Sequence, residues 1–233
     1  MCRAGSEVRV FKPSTQFRYK RIMSLQRKVV SAAAPPLGVV GDASSSMEGS
    51  HEKTMSTRER METFDKAKMA KILRACLLAK YLRNDNVPSE LQQGLYLGSI
   101  GAAFNKGLLQ NLNVTHILSV VNAVDIPFPH DFKYLRIEVL DSAEVDLAQH
   151  FNACFSFIDE ARAAGGGVLV HCFAGRSRSV TIVLAYLMRT YGMRLAQALA
   201  HVTSRRRVAQ PNPGFMRQLQ NYDQILEATR RRT

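Results

Sequence analysis

The chain is 233 residues long, 46% hydrophobic and without tryptophan, and its 32 lysines and arginines outweigh 19 acidic residues to leave a formal net charge of +13. That length and apolar content predict one folded domain plus an extension, and no apolar run reaches the ~18 residues that would span a bilayer. The charge is uneven: residues 1–87 hold 17 basic and 8 acidic side chains and residues 88–233 hold 15 and 11, so the basicity lies mostly outside the compact region, which argues against a nucleic-acid enzyme.

Residues 1–57 lack regular apolar periodicity and are rich in Ser, Ala, Pro and Gly around Ser31–Ser46, as expected of a disordered N-terminal extension. Two other readings stay open. Residues 1–47 carry only Glu7 and Asp42 as acids against eight basic residues, which suits an organelle-targeting peptide. Within them, Lys20-Arg21-Ile22-Met23-Ser24-Leu25 has the basic-then-alternating-apolar form of a docking peptide.

Residues 58–87 form the next unit, a basic amphipathic helix over 59–83. Met69, Ile72, Leu73, Cys76 and Leu77 recur at helical spacing among Lys66, Lys68, Lys71, Arg74, Lys80 and Arg83. Its apolar stripe, Cys76 included, is expected to pack on the domain that follows. The functional alternative is a calmodulin-type target or a membrane-surface contact through 59–83.

Asn84 to Ser89, with Pro88, breaks this helix, and residues 88–233 read as the compact domain. Strands are predicted at 95–98, at 114–121, where His116 reads as a packed residue, and at 134–139. Short and long helices are predicted at 102–112 and 147–163. The second helix has Asp146 as its N-cap, Leu147, Phe151, Cys154, Phe155, Ile158 and Ala161 on one face, and Gly165 to Gly167 as its terminator. A short apolar strand, Val168 to Val170, leads through a loop to a helix over 180–188 that is apolar nearly all round and therefore belongs at the centre. Two more helices follow, marked by Leu195, Ala198, Leu199 and Val202 and by Phe215, Leu219, Tyr222 and Leu226. Strands alternating with helices predict an α/β fold with a mostly parallel central sheet flanked by helices. Its ligand should lie at the carboxyl ends of the strands.

The loop between the last strand and the central helix carries the chemistry. It reads His171-Cys172-Phe173-Ala174-Gly175-Arg176-Ser177-Arg178-Ser179. A phosphomonoester dianion needs a concave set of backbone N–H donors, which a tight loop entering a helix N-terminus supplies. Residues Phe173 to Arg178 are the expected cradle, with Gly175 allowing the turn. The planar guanidinium of Arg178 can hold two equatorial phosphate oxygens, which lysine could not. Beneath the clamped phosphorus, Cys172 is placed for in-line attack as a thiolate, giving a phosphocysteine, and Ser179 could donate to the sulfur as it leaves. His171 and Asn212, in the run QPNPGF, read as supports.

A serine or threonine alkoxide is a poor leaving group, so a carboxyl must protonate it. Asp141, at the end of the strand over 134–139, is the candidate acid and, in the second step, the base that activates water. Glu144 is a weaker candidate, and Asp146 has its capping role.

The loop matches the protein-tyrosine phosphatase signature His-Cys-x-x-Gly-x-x-Arg-Ser. Together with LYLGS, VTHILSV, DLAQHF, FIDEAR and PNPGF, residues 88 to about 228 resemble a dual-specificity protein phosphatase of the small plant type. The resemblance implies a protein-tyrosine-phosphatase-like fold. It also implies Cys172 as nucleophile, Arg178 as phosphate clamp, Asp141 as general acid and Ser179 as helper of thiolate release. Phosphorylated proteins are the implied substrates, at tyrosine as well as serine and threonine, with MAP kinases as candidates; Lys20 to Leu25 is similar to the peptides that dock on them. Phosphoinositides or phosphoglucans are the alternative substrates. Phe173 stands where lipid-phosphatase relatives have a basic residue, although Arg176 keeps the second, and Ser177 breaks the phosphoglucan pattern. A non-catalytic phospho-binding scaffold is the alternative of another class. Two departures bear on support: Ser119 stands where many relatives have Asn, and Arg194 where a capping Ser or Thr is usual, so weaker bracing of the loop and a weaker cap are expected. Arg205, Arg206 and Arg207 read as a solvated helix end or a lure for acidic substrates. No metal or cofactor is expected, since nucleophile, clamp and acid are all side chains. Cys2, Cys76, Cys154 and Cys172 are widely scattered, which points to a reducing compartment, cytoplasm or nucleus. Cys154, on an apolar helix face, is expected to be inert.

Overall fold

The computed structural model of the chain describes residues 57–122 and 127–232. The expectations for residues 1–56, a disordered or targeting extension and a docking peptide, lie outside them. The chain begins with helix α1 (Thr57–Asn84), followed by strand β1 (Ser89–Gln92) and strand β2 (Leu95–Gly98). Two short helices, α2 (Ile100–Ala103) and α3 (Lys106–Asn111), precede strand β3 (Val114–Val120). Strand β4 (Lys133–Ile137), a 3₁₀ turn (Ala148–His150), helix α4 (Phe151–Ala163) and strand β5 (Gly167–His171) follow. Helices α5 (Arg178–Tyr191), α6 (Leu195–Arg205) and α7 (Pro213–Arg230) complete the chain.

The five strands form one sheet in the order β1-β2-β5-β3-β4, parallel throughout except for the β1–β2 hairpin at one edge. The fold is the expected α/β one. Period-2 alternation sends Leu95, Leu97, Leu118, Val120, Val168 and Val170 into the larger core, under α4 to α7. Tyr96, Ile117 and Leu169 point to the other face, where Leu109, Val114 and Phe132 cover them. His116, on the side of β3 that faces α4, is buried edge-on to Phe157. Both faces of β5 are thus covered, which is why its sequence reads as an unbroken apolar run rather than an alternation. Helix α5 passes through the middle of the larger core with every residue from Ser179 to Met188 buried, as its all-round apolarity requires.

Four details differ from expectation. The helix expected from Leu147 begins at Phe151, after the 3₁₀ turn, so Asp146 caps that turn and not the helix itself. Strand β1 forms from Ser89-Glu90-Leu91-Gln92, where only Leu91 is buried; four residues with one apolar anchor are too few for a pattern. The segment from Ile100 to Asn111 is two short helices rather than one, the first capped by Ser99, whose Oγ accepts from Gly101 N–H at 3.2 Å. Helix α1 exists over the expected span, but its apolar stripe does not pack on the domain. Met69 is 64% and Leu73 60% exposed, and Ile72, Cys76 and Leu77 are exposed as well, so Cys76 is not a core residue. The reason is length. A 28-residue helix is about 42 Å long, and it packs through its last turn against the four-residue α2. Among the described residues, no helix is long and apolar enough to cross a membrane.

Candidate active site

Strand β5 delivers Cys172 to the carboxyl edge of the sheet, and α5 begins six residues later at Arg178. The intervening loop is pinned from outside by its carbonyls. Phe173 O accepts from Ile100 N–H at 3.0 Å and Arg176 O from Gln210 N–H at 2.7 Å. Ala174 O and Gly175 O accept from the Arg206 guanidinium at 3.0 and 2.7 Å, and Ser177 O from Thr181 N–H at 2.9 Å. In a planar trans peptide the N–H points opposite to the C=O. With five successive carbonyls engaged outside, the N–H groups of Ala174 to Arg178 face inward, the arrangement an anion needs. Gly175 is obligatory at the bend: its φ is +61°, and a Cβ there would sit 2.4 Å from Gly98 O.

The side chains converge on the same cup. Ser179 Oγ donates to Cys172 Sγ at 3.2 Å. Arg178 Nη1 donates to Val139 O at 3.1 Å, while its buried Nε has no hydrogen-bond partner. The nearest charge is Asp141 Oδ2 at 3.6 Å, an ion-pair distance too long for a hydrogen bond. A guanidinium edge with a free buried donor beside a ring of backbone N–H groups suits an equatorial phosphate oxygen.

Asp141 is held over the loop. Its Oδ1 accepts from Ser177 Oγ at 2.7 Å and from Asn212 Nδ2 at 2.9 Å. Asn212 in turn caps α7, its Oδ1 accepting from Phe215 N–H at 2.9 Å, and its own N–H donates to Ser177 Oγ at 3.1 Å. The Pro-Asn-Pro turn therefore places acid, loop and helix cap together. The rival carboxylates are occupied elsewhere. Asp146 Oδ1 caps the 3₁₀ turn, accepting from Ala148 and Gln149 N–H. Glu144 is exposed, and a hydrogen bond from Ser142 holds its carboxyl below the usual range, the wrong direction for a proton donor.

His171 is buried behind the nucleophile. Its Nδ1 lies 3.4 Å from Cys172 O and its Nε2 2.6 Å from Ser119 Oγ. A ring that donates from Nδ1 to the carbonyl and accepts at Nε2 satisfies both. Burial, aided by Arg178, lowers its pKa to about 4, although the bond to Cys172 works the other way, so the ring is neutral. Ser119 thus braces the loop through His171, contrary to the weaker bracing expected of it. The cap at Arg194 is likewise replaced rather than lost. Leu195 N–H donates to Asp223 Oδ1 at 3.4 Å, and Arg194 pairs with Asp223 and Glu227 at 3.1 and 2.9 Å. Burial pushes the Cys154 thiol up to about 12, so it is unreactive near neutrality.

Several supporting residues escape a reading of the sequence. Gln218 clamps the acid-bearing loop to α7, accepting from Leu147 and Ala148 N–H and donating to Val145 O. Arg206 is 6% exposed rather than solvated, and it bonds the loop carbonyls on one side and Asp85 on the other. Nothing in a run of three arginines marks the middle one as buried. Among the described residues, no three His, Cys, Asp or Glu side chains are grouped as a metal site would require.

Residues 95–225 match the family model of the dual specificity phosphatase catalytic domain. The chain is 46% identical over 188 residues to Dual specificity protein phosphatase 1 of Arabidopsis thaliana, covering 81% of this chain and 95% of that one. It is 43% identical over 145 residues to MAP kinase phosphatase with leucine-rich repeats protein 3 of Dictyostelium discoideum, 62% of this chain but only 17% of that much longer protein. The crystal structure of human DUSP28 superposes with a TM-score of 0.58 at 38% identity, covering 60% of this chain and 95% of that chain.

Proposed function

The chain belongs to the dual specificity phosphatase family and is a phosphatase, and from that premise we propose that it hydrolyses phosphotyrosine and phosphoserine or phosphothreonine in proteins through a phosphocysteine on Cys172. The carrying observation is that Ser179 Oγ donates to Cys172 Sγ while Asp141 accepts from Ser177 of the same loop and from Asn212.

In this mechanism the inward N–H groups and Arg178 hold the three equatorial oxygens of the phosphoryl group. Cys172 Sγ attacks phosphorus in line as the ester P–O bond breaks, and Asp141 gives its proton to the departing oxygen. In the second step Asp141 takes a proton from water, the hydroxide forms the new P–O bond, and the S–P bond breaks with its electrons returning to sulfur. The Ser179 hydroxyl, 3.2 Å away, donates to that sulfur as charge develops. Inorganic phosphate leaves.

Phosphate release from a doubly phosphorylated Thr-x-Tyr peptide, a phosphoinositide and a phosphoglucan tests both chemistry and substrate class. Wild type is expected to clear both peptide phosphates, Cys172→Ser none, and Asp141→Asn to lose roughly 10²- to 10⁴-fold in kcat with little change in KM. Preference for lipid or glucan would overturn the protein reading. Phe173 at a position basic in lipid-phosphatase relatives, and Arg176 engaged by Gln210, favour protein. MAP kinases are the proposed substrates; the support is the Dictyostelium relative's name and the Lys20 to Leu25 peptide. Binding of a MAP kinase by wild type and not by a Lys20→Ala, Arg21→Ala variant would test it.

A second reading concerns partners. The exposed Met69, Ile72, Leu73 and Leu77 among basic residues on α1 support a calmodulin-type interaction, which calorimetry of the full chain with calcium-loaded calmodulin would detect; absence of heat removes it. The need for a reduced Cys172 supports cytoplasm or nucleus as the location, testable with a fluorescent fusion of the full chain.

A further inference from the structure

Arg206 ends helix α6 and turns the chain, and its guanidinium lies against the back of the phosphate loop. Nε donates to Gly175 O at 2.7 Å and Nη2 to Ala174 O at 3.0 Å. The other edge meets a carboxylate in the two-pronged manner: Nη1 to Asp85 Oδ1 at 3.2 Å and Nη2 to Asp85 Oδ2 at 2.7 Å. Only a planar, five-donor group can hold two adjacent carbonyls and a carboxylate at once.

Asp85 does not belong to the matched domain, residues 95–225. It follows the last residue of α1, its N–H donates to Tyr81 O at 3.0 Å, and its carbonyl accepts from Ser99 Oγ at 2.8 Å. The end of α1 is seated without slack. A Cβ on Gly101 would lie 2.2 Å from Tyr81 O and 2.4 Å from Asp85 O. The Tyr81 ring meets Phe173 of the loop edge-on at 5.5 Å and 82°. The last turn of α1 therefore touches the loop twice, at Phe173 through Tyr81 and at Ala174 and Gly175 through Asp85 and Arg206.

We propose that Arg206 is a positioning residue that keeps the Ala174 and Gly175 carbonyls turned outward, and so the following N–H groups turned inward, and that Asp85 of the N-terminal helical segment holds Arg206 in place. This rests on the phosphatase reading of the loop. The helical segment is then part of the phosphate-binding machinery, through the last turn of α1. Without Asp85 the guanidinium loses the partner that fixes its tilt, and the two peptide planes it holds are free to rotate. The damage is to binding of the phosphoryl group in ground and transition state alike.

The test is steady-state kinetics of the full chain, with inorganic phosphate as competitive inhibitor and the melting temperature measured alongside. Asp85→Asn and Arg206→Lys are expected to raise the phosphate inhibition constant and KM together, by roughly ten- to a hundredfold. Tyr81→Ala, which leaves no charge unpaired, should raise them in the same direction by less. Arg194→Ala breaks a comparable Arg–Asp pair remote from the loop and should lower the melting temperature while leaving the phosphate constant unchanged. Folded Asp85→Asn or, failing that, folded Tyr81→Ala with wild-type phosphate constant and KM would overturn the proposal. A wild type that releases no phosphate from any substrate would sink the functional reading instead. Protection of Cys172 from alkylation by inorganic phosphate would then still report on the Arg206 arm, lost in Asp85→Asn if the arm positions the loop and unchanged if it does not.

Discussion

His171 stands beside the nucleophile, neutral and fully buried, and that makes it a source of acid lability. Folded, its pKa is about 4; unfolded, it titrates near 6.5. Between those values the unfolded chain binds the extra proton, so this contribution to stability is full above about pH 6.5 and falls as pH drops toward about 4. The whole is worth up to ~3 kcal/mol, of which about 2 kcal/mol is gone by about pH 5. Urea midpoints measured at neutral pH and near pH 5 should show that decline, and His171→Asn should flatten it. The residues that make or break bonds with phosphorus were legible because spacing alone dictates them: Cys172, Gly175 and Arg178 stand where any such loop must put them. Their supports were legible only in part. Asn212 declared itself through the prolines around it, but Asp85, Arg206 and Gln218 act across 31 to 121 positions of sequence, and no local pattern records such a pairing.

Elements differ in how much burial they command. Helix α5 was readable as central because it has no polar face to give to solvent. Helix α1 was readable as a helix but not as an unpacked one, since an apolar stripe has the same spacing whether a domain covers it or not. Substitution separates the two. Leu184→Ala, at 0% exposure in α5, should cost about 2–5 kcal/mol by leaving a cavity. Leu73→Ser on the open face of α1 should change stability by no more than ~0.5 kcal/mol. Chemical denaturation of both variants checks the pair; a large loss at Leu73 would mean that the stripe is covered in solution. Strand β1 shows the opposite limit, an element made by its neighbour: it exists because β2 offers an edge, and its own four residues carry almost no signal.

Across the whole molecule the charge is lopsided, and the formal +13 bears on encounter rather than on fold. A phosphorylated acidic peptide approaches a positive body, and the attraction is screened within about 8–10 Å at ordinary ionic strength. The kcat/KM for a doubly phosphorylated peptide should therefore fall as salt is raised from low to physiological concentration, with kcat nearly constant. A flat profile would mean that the surplus charge plays no part in capture.

The path of α5 through the larger core has a further consequence, for the order in which the molecule comes apart. Its amide protons, from Thr181 to Met188, are inside the helix and behind buried side chains, so solvent reaches them only when the entire core opens. The phosphate loop is the unbroken prologue to that helix. Deuterium uptake should be slowest across 181–188 and fast along the exposed part of α1, and loss of activity on heating should coincide with the appearance of label in α5. Such a site resists local fraying, and it fails when the whole molecule melts.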